Sequence, residues 1–127
     1  MKIANAIVCD EVRKEDNGKH LIIGVYPDNM LVSEFPATLA PSIWMQLYLD
    51  QDKDTEIEFR IRQDDGKVLG SGAGILPVSL TQPATTSLPP SLINVQKECV
   101  LSFQIREKGA RWKTLKKVPV ELQRAKN

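Results

Sequence analysis

A chain of 127 residues with 42% hydrophobic and 26% charged side chains has the length and composition of one globular domain with its own core. A formal charge of +1 excludes a molecule that holds polyanions by overall charge, and the longest apolar runs fall well short of the ~20 residues of a membrane-spanning helix. Asn5, Asp10 and Glu11 interrupt the stretch where a signal peptide needs an unbroken apolar segment, so the expectation is a cytoplasmic protein with both cysteines reduced.

The first element in chain order is a hairpin. Asn17-Gly18 lies between two apolar-rich runs and predicts a two-residue type I′ turn. That register sets Glu15 opposite His20, Val12 opposite Ile23, Asp10 opposite Val25 and Cys9 opposite Tyr26. Val8, Asp10, Val12, Leu21, Ile23 and Val25 then share one face, and Cys9, Glu11, Arg13, His20, Ile22 and Tyr26 the other. The stretch holds the only histidine and one of two cysteines, which raises a Cys/His nucleophile. At ~3.4 Å per residue the two side chains stand roughly 20 Å apart on the ladder, beyond hydrogen-bond reach. His20 is expected to pair with Glu15 across the strands, and Cys9 to act as a small half-buried hydrophobe. Asp10, among valines, would need backbone donors or an Arg such as Arg60, Arg62 or Arg106 as an anchor.

Residues 27–41, with three prolines, read as a connection holding a short strand at Met30-Leu31-Val32. In the next run Ile43, Met45, Leu47 and Leu49 alternate with Trp44, Gln46 and Tyr48, predicting a strand with one apolar face and one aromatic face. Asp50, Asp52, Asp54 and Glu56 form an acidic loop. As an EF-hand it fails, with Thr55 at the glycine position and Ile61 at the final glutamate, although a Ca²⁺ site shared with the Glu15–Asp16 hairpin tip stays open. Ile57, Phe59 and Ile61 point inward on the following strand and Glu56, Glu58, Arg60 and Arg62 outward. Asp65-Gly66 turns into a strand whose glycines 70, 72 and 74 suggest a bulge or a close backbone approach.

Residues 81–91 show no core-forming pattern and read as a loop. Cys99, Leu101, Phe103 and Ile105 make one face of a strand, and the last strand, through Lys116, Lys117 and Pro119, suits an edge. No stretch sustains a 3.6-residue period. The fold expected is all-β, a single-domain two-sheet sandwich (immunoglobulin-like or C2-like) of about seven to eight strands over 1–122, with 123–127 a frayed tail.

Zinc-ligand spacings, Gly-rich phosphate loops and GxSxG elbows are all missing from the sequence. Cys9 and Cys99 flank Trp44, but the 35 residues from Cys9 to Trp44 are too many for immunoglobulin strands B and C. From Arg106 onward eight Lys/Arg stand against Glu107 and Glu121, whereas 50–65 carries seven acids against Lys53, Arg60 and Arg62. The basic segment includes Trp112, yet a lysine-blunted edge explains it better than a nucleic-acid strip. These features point to a non-catalytic module that binds another protein, a second copy included, with Trp44, Gln46 and Tyr48 as the surface and no cofactor or membrane. The alternatives are a carbohydrate- or Ca²⁺-binding sandwich, then an enzyme using Asp10.

The segments Ala6–Arg13, Asn17-Gly18-Lys19, Ile23–Tyr26 and Phe35-Pro36-Ala37 resemble an uncharacterised family of small bacterial proteins, a domain of unknown function. The similarity concentrates in the first 40 or so residues. It implies a compact β-sandwich and brings no activity, cofactor or catalytic residue.

Overall fold

Apolar residues at every second position bury one face of several long strands, and in the computed structural model two such faces close on each other. The structure describes residues 1–49, 52–78 and 81–124. Among the described residues eleven strands are formed: β1 (Lys2–Lys14), β2 (His20–Val25), β3 (Met30–Val32), β4 (Ala37–Leu39), β5 (Ser42–Tyr48), β6 (Thr55–Gln63), β7 (Val68–Leu76), β8 (Ala84–Leu88), β9 (Ile93–Val95), β10 (Cys99–Glu107) and β11 (Lys113–Leu122). One sheet runs β2-β1-β5-β8, a second β3-β11-β10-β6-β7, and β4 pairs with β9 in a two-stranded ribbon. All pairings are antiparallel except that of β3 with β11.

The two large sheets bury their faces in two adjoining clusters. Val8 and Ile43 meet Ile61, Leu101, Phe103, Val118 and Val120 in the larger one, which the β9 residues Ile93 and Val95 complete. Met45 and Leu47 meet Ile57, Leu76 and Ile105 in the smaller. Leu88 and Leu115 pack against both and join them. Each large side chain buried here contributes about 1.5–3 kcal/mol over its exposed state. The inward sets expected for β5, β6 and β10 are found, with Phe59 half-buried, Leu49 half-buried just beyond the end of β5, and the other inward residues buried.

Several expectations are corrected. The strand total exceeds seven or eight because short ladders form in segments without strong alternation. Residues 84–88, in the stretch read as a loop, pair with β5 as an edge strand whose Thr and Ser side chains need no core. Residues 37–39 and 93–95 form the ribbon. β11 is internal, but β3 flanks only its last three residues, so the second side of the strand is unpaired at Pro119. Gln123, assigned to a frayed tail, donates its N–H to Val32 O at 2.7 Å, and Arg124 Nη2 lies 3.4 Å from Glu98 Oε1; residues 125–127 lie outside the described residues.

The first hairpin differs most. Only glycines adopt positive φ among the described residues, so Asn17 cannot supply the left-handed conformation a type I′ turn demands. The loop instead takes three residues: Gly18 N–H donates to Glu15 O at 2.9 Å, Glu15 N–H to Lys19 O at 2.7 Å, and Gly18 carries φ 86°. The same turn recurs at Gln63–Lys67, where Gly66 N–H donates to Gln63 O and Gln63 N–H to Lys67 O. One extra loop residue moves the register by one, pairing Lys14 with His20, Arg13 with Leu21 and Glu11 with Ile23. Such a step transfers a strand's whole side-chain set to the opposite face. Leu21, Ile23 and Val25 therefore align with Arg13, Glu11 and Cys9, and leave the core.

Candidate interaction surface

β1 has two partners along its length. Lys2–Cys9 pair with β5, while Cys9–Lys14 pair with β2, so beyond Cys9 the hairpin is a two-stranded arm. The ladder passes through Cys9–Val25 and Glu11–Ile23 but omits Asp10 and Gly24 between them. Gly24 has φ 68°, and the Asp10 side chain occupies the space above it: a Cβ on Gly24 would stand 2.2 Å from Asp10 Oδ2. Tyr26 O–H donates to Asp10 Oδ1 at 2.5 Å. Burial, followed by the bond and charge of Asp10, pushes the Tyr26 hydroxyl up to about 12. Asp10 is thus exposed and held by a tyrosine, not an arginine-anchored carboxylate on the core face.

This pivot turns the arm back over its own sheet. Trp44 pairs with Ile7, whereas His20 pairs with Lys14, seven residues further along β1. A straight ladder would separate them by roughly 23 Å. Trp44 Nε1 nonetheless donates to His20 Nδ1 at 2.9 Å, which requires the arm to bend across the outer face of the sheet. His20 therefore serves Trp44 and not Glu15.

The three residues of the expected surface fare differently. Trp44 is half-buried beneath His20. Gln46 is fixed on both sides, accepting from Asn5 Nδ2 at 2.7 Å and donating to Thr85 Oγ1 at 3.1 Å. Tyr48 is 42% exposed. The sequence reading missed the row that the register step creates: Leu21, Ile23 and Val25 are 45%, 37% and 49% exposed along β2, whose second edge has no strand beside it among the described residues. The signal available was Gly18 in a D-N-G loop, compatible with a three-residue turn as well as a two-residue one.

The other chemical candidates are occupied or separated. Cys9 Sγ donates to Glu11 O at 3.6 Å, and burial pushes the Cys9 thiol up, as it does that of Cys99; both cysteines are free. Asp54 Oδ1 accepts the Val78 N–H at 3.0 Å, tying the acidic loop to the end of β7. Asp50 lies outside the described residues, and among the described residues no three His, Cys, Asp or Glu side chains converge as metal ligands. The acidic loop follows Tyr48, which pairs with Lys2, while Glu15 and Asp16 leave the opposite end of β1, so the two acidic groups do not share one end of the β1 ladder. Among the described residues no helix is long and apolar enough to cross a membrane.

Compared with known families, residues 4–109 match the model described as "Family of unknown function (DUF6941)". The match extends well past the first 40 residues in which the sequence resemblance concentrates. Neither the curated proteins nor the solved structures gave a match.

Proposed function

The chain belongs to a family of unknown function, and from that premise we propose that it is a non-catalytic protein-binding module that docks through the free edge of β2. The observation that carries this reading is the row Leu21, Ile23, Val25: three large apolar side chains, each more than a third exposed, on one side of an edge strand. Edge strands are ordinarily guarded by Lys, Pro or a bulge, because their free N–H and C=O groups template further pairing. Between His20 and Val25 there is no Lys and no Pro. The arm also uses Trp44 and Gln46 within the chain, which leaves Tyr48 as the accessible part of the aromatic face.

The occupant that best fits the row is a second copy of this chain. Antiparallel pairing of two β2 strands about Ile23 sets Ile23 against its own counterpart and Leu21 against the partner's Val25, so every apolar residue of the row meets another. Strand addition of this kind draws affinity from main-chain hydrogen bonds and specificity from the alternate side chains. A six-residue strand buries less than the roughly 800 Å² per partner of a standard interface, so the dimer expected is a weak one, to be sought from about 1 µM to 1 mM.

Sedimentation velocity across that range tests the reading. The wild-type chain should shift from monomer to dimer with rising concentration, and Ile23→Lys should remain monomeric while still unfolding cooperatively, since Ile23 lies outside both core clusters. A wild-type chain that stays monomeric to about 1 mM, or an Ile23→Lys variant that dimerises equally well, would overturn it.

A further inference from the structure

On the far side of the molecule the outward residues of the five-stranded sheet come from segments of opposite sequence charge. The register sets Arg62 beside Ser102 and Lys117, Arg60 beside Gln104 and Thr114, and Glu58 beside Arg106. Partners across an antiparallel ladder share a face, so these three ranks hold four cations and one carboxylate, while Glu56, further along the same face of β6, pairs with Lys108 at 3.6 Å. Trp112, just before β11, lies against them: Arg60 Cζ is 4.2 Å and Arg106 Cζ 4.3 Å from the ring centroid.

We infer that this face holds an oxyanion-binding site, in which Arg60, stacked with Arg106 on Trp112 and with Arg62 in the next outward rank of β6, takes a phosphate or carboxylate group. Three observations carry the assignment. Among the described residues Arg60 has no carboxylate partner; its Nε donates to Gln104 Oε1 at 2.8 Å, and Gln104 in turn donates to Thr114 Oγ1 at 3.2 Å. Arg106 reaches Glu58 through Nη2 at 3.4 Å, but its Nε is buried and donates to nothing among the described residues. Finally, one ring fixes both guanidinium groups, which places like charges within about 8.5 Å of each other.

A purely structural stack would account for one arginine on Trp112. It does not account for a second cation on the same ring beside an exposed Arg62 and Lys117, with Glu58 the only acid in their ranks. Desolvation, then the charges of Arg62 and Arg106, pull the Arg60 guanidinium below its ordinary range, a penalty that a bound anion relieves. A guanidinium held by a ring and a glutamine keeps its remaining N–H edge preset for two oxygens, the fork geometry that phosphate and carboxylate share.

The test uses fluorescence of the Trp44→Phe chain, which leaves Trp112 as the only tryptophan. It is titrated with inorganic pyrophosphate and, separately, with citrate, at ionic strength held constant with potassium chloride. A saturable change with pyrophosphate alone assigns a phosphate ligand, with citrate alone a carboxylate, and with both the shared chemistry. Arg60→Gln should weaken binding about ten-fold or more, as loss of a charge-assisted hydrogen bond implies, while Lys19→Gln, exposed in the first hairpin loop of the other sheet, should leave it unchanged. Arg62→Gln, at an exposed position, carries the test if Arg60→Gln unfolds, and should also weaken binding. Signals that track ionic strength without saturating, or equal affinity in the arginine variants, would overturn the site.

Discussion

Replacing Gly24 by alanine probes the pivot on which the arm turns, and the cost can be worked from its geometry. At φ 68° an L side chain is strained by about 1–2 kcal/mol. The new Cβ would also stand 2.2 Å from Asp10 Oδ2 and 2.8 Å from Cγ, distances no real contact sustains. Because Asp10 is exposed, its carboxylate can rotate away, so the clash converts into loss of the Tyr26–Asp10 hydrogen bond, about 1 kcal/mol at a partly exposed position. Gly24→Ala should therefore lower the unfolding free energy by about 2–3 kcal/mol, read in urea as a lower midpoint at unchanged slope. The partition is checked by a double-mutant cycle. In an Asp10→Ala background the bond is already gone and the space vacant, so Gly24→Ala should cost only the backbone strain, leaving a coupling of about 1 kcal/mol. Equal costs in both backgrounds would refute the close approach of Asp10, and a Gly24→Ala chain within about 0.5 kcal/mol of wild type would refute the left-handed pivot itself.

Tyr26 gives the arm a pH dependence with a defined sign. Its folded value of about 12 lies above the ordinary 10, so the stability it adds is complete below pH 10 and is lost as pH rises toward 12. The stability difference between wild type and Tyr26→Phe, followed by urea unfolding, should shrink through that window; a constant difference would count against the bond to Asp10. Two glycines of β7 should respond oppositely to alanine. At Gly72 a Cβ would meet Phe59 Cε1 at 2.5 Å, so the ring must move and stability should fall by about 1–3 kcal/mol. At Gly74 nothing stands within 4 Å, and alanine should be neutral or stabilising by about 0.4–1 kcal/mol through the unfolded chain; thermal melts of the two variants separate these outcomes.

Much of the fold was legible because the long core strands carry their own signal. Alternation in β5, β6 and β10 identifies both strand and buried face, since each repeats an apolar residue at the period of the pleat. The short ladders were not legible. β8 is Ala-Thr-Thr-Ser-Leu, and it is a strand because β5 offers it an edge and not because its own residues need burial. β4 and β9, three residues each, are likewise specified by each other across more than 50 positions of sequence. Local propensity says little about such segments because tertiary pairing supplies what stabilises them.

Register is where sequence reasoning was weakest, and both binding surfaces depend on it. Alternation fixes which residues share a face within one strand, but not which residue of a neighbour stands beside them. In the first hairpin a single loop residue decides whether Leu21, Ile23 and Val25 enter the core or line an open edge. On the other sheet Arg60 and Arg62 belong to a segment that is acidic in sequence, and Arg106 and Trp112 to one that is basic. Averaged along the chain these charges read as two solvated regions of opposite sign. The ladder between β6 and β10 regroups them by rank, opposing Glu58 with Arg106 and leaving Arg60 opposite an uncharged glutamine. Net charge by segment therefore hid a cationic centre that exists only across strands, and substituting either strand's arginines should affect the same site even though 44 positions of sequence separate Arg60 from its partner Gln104.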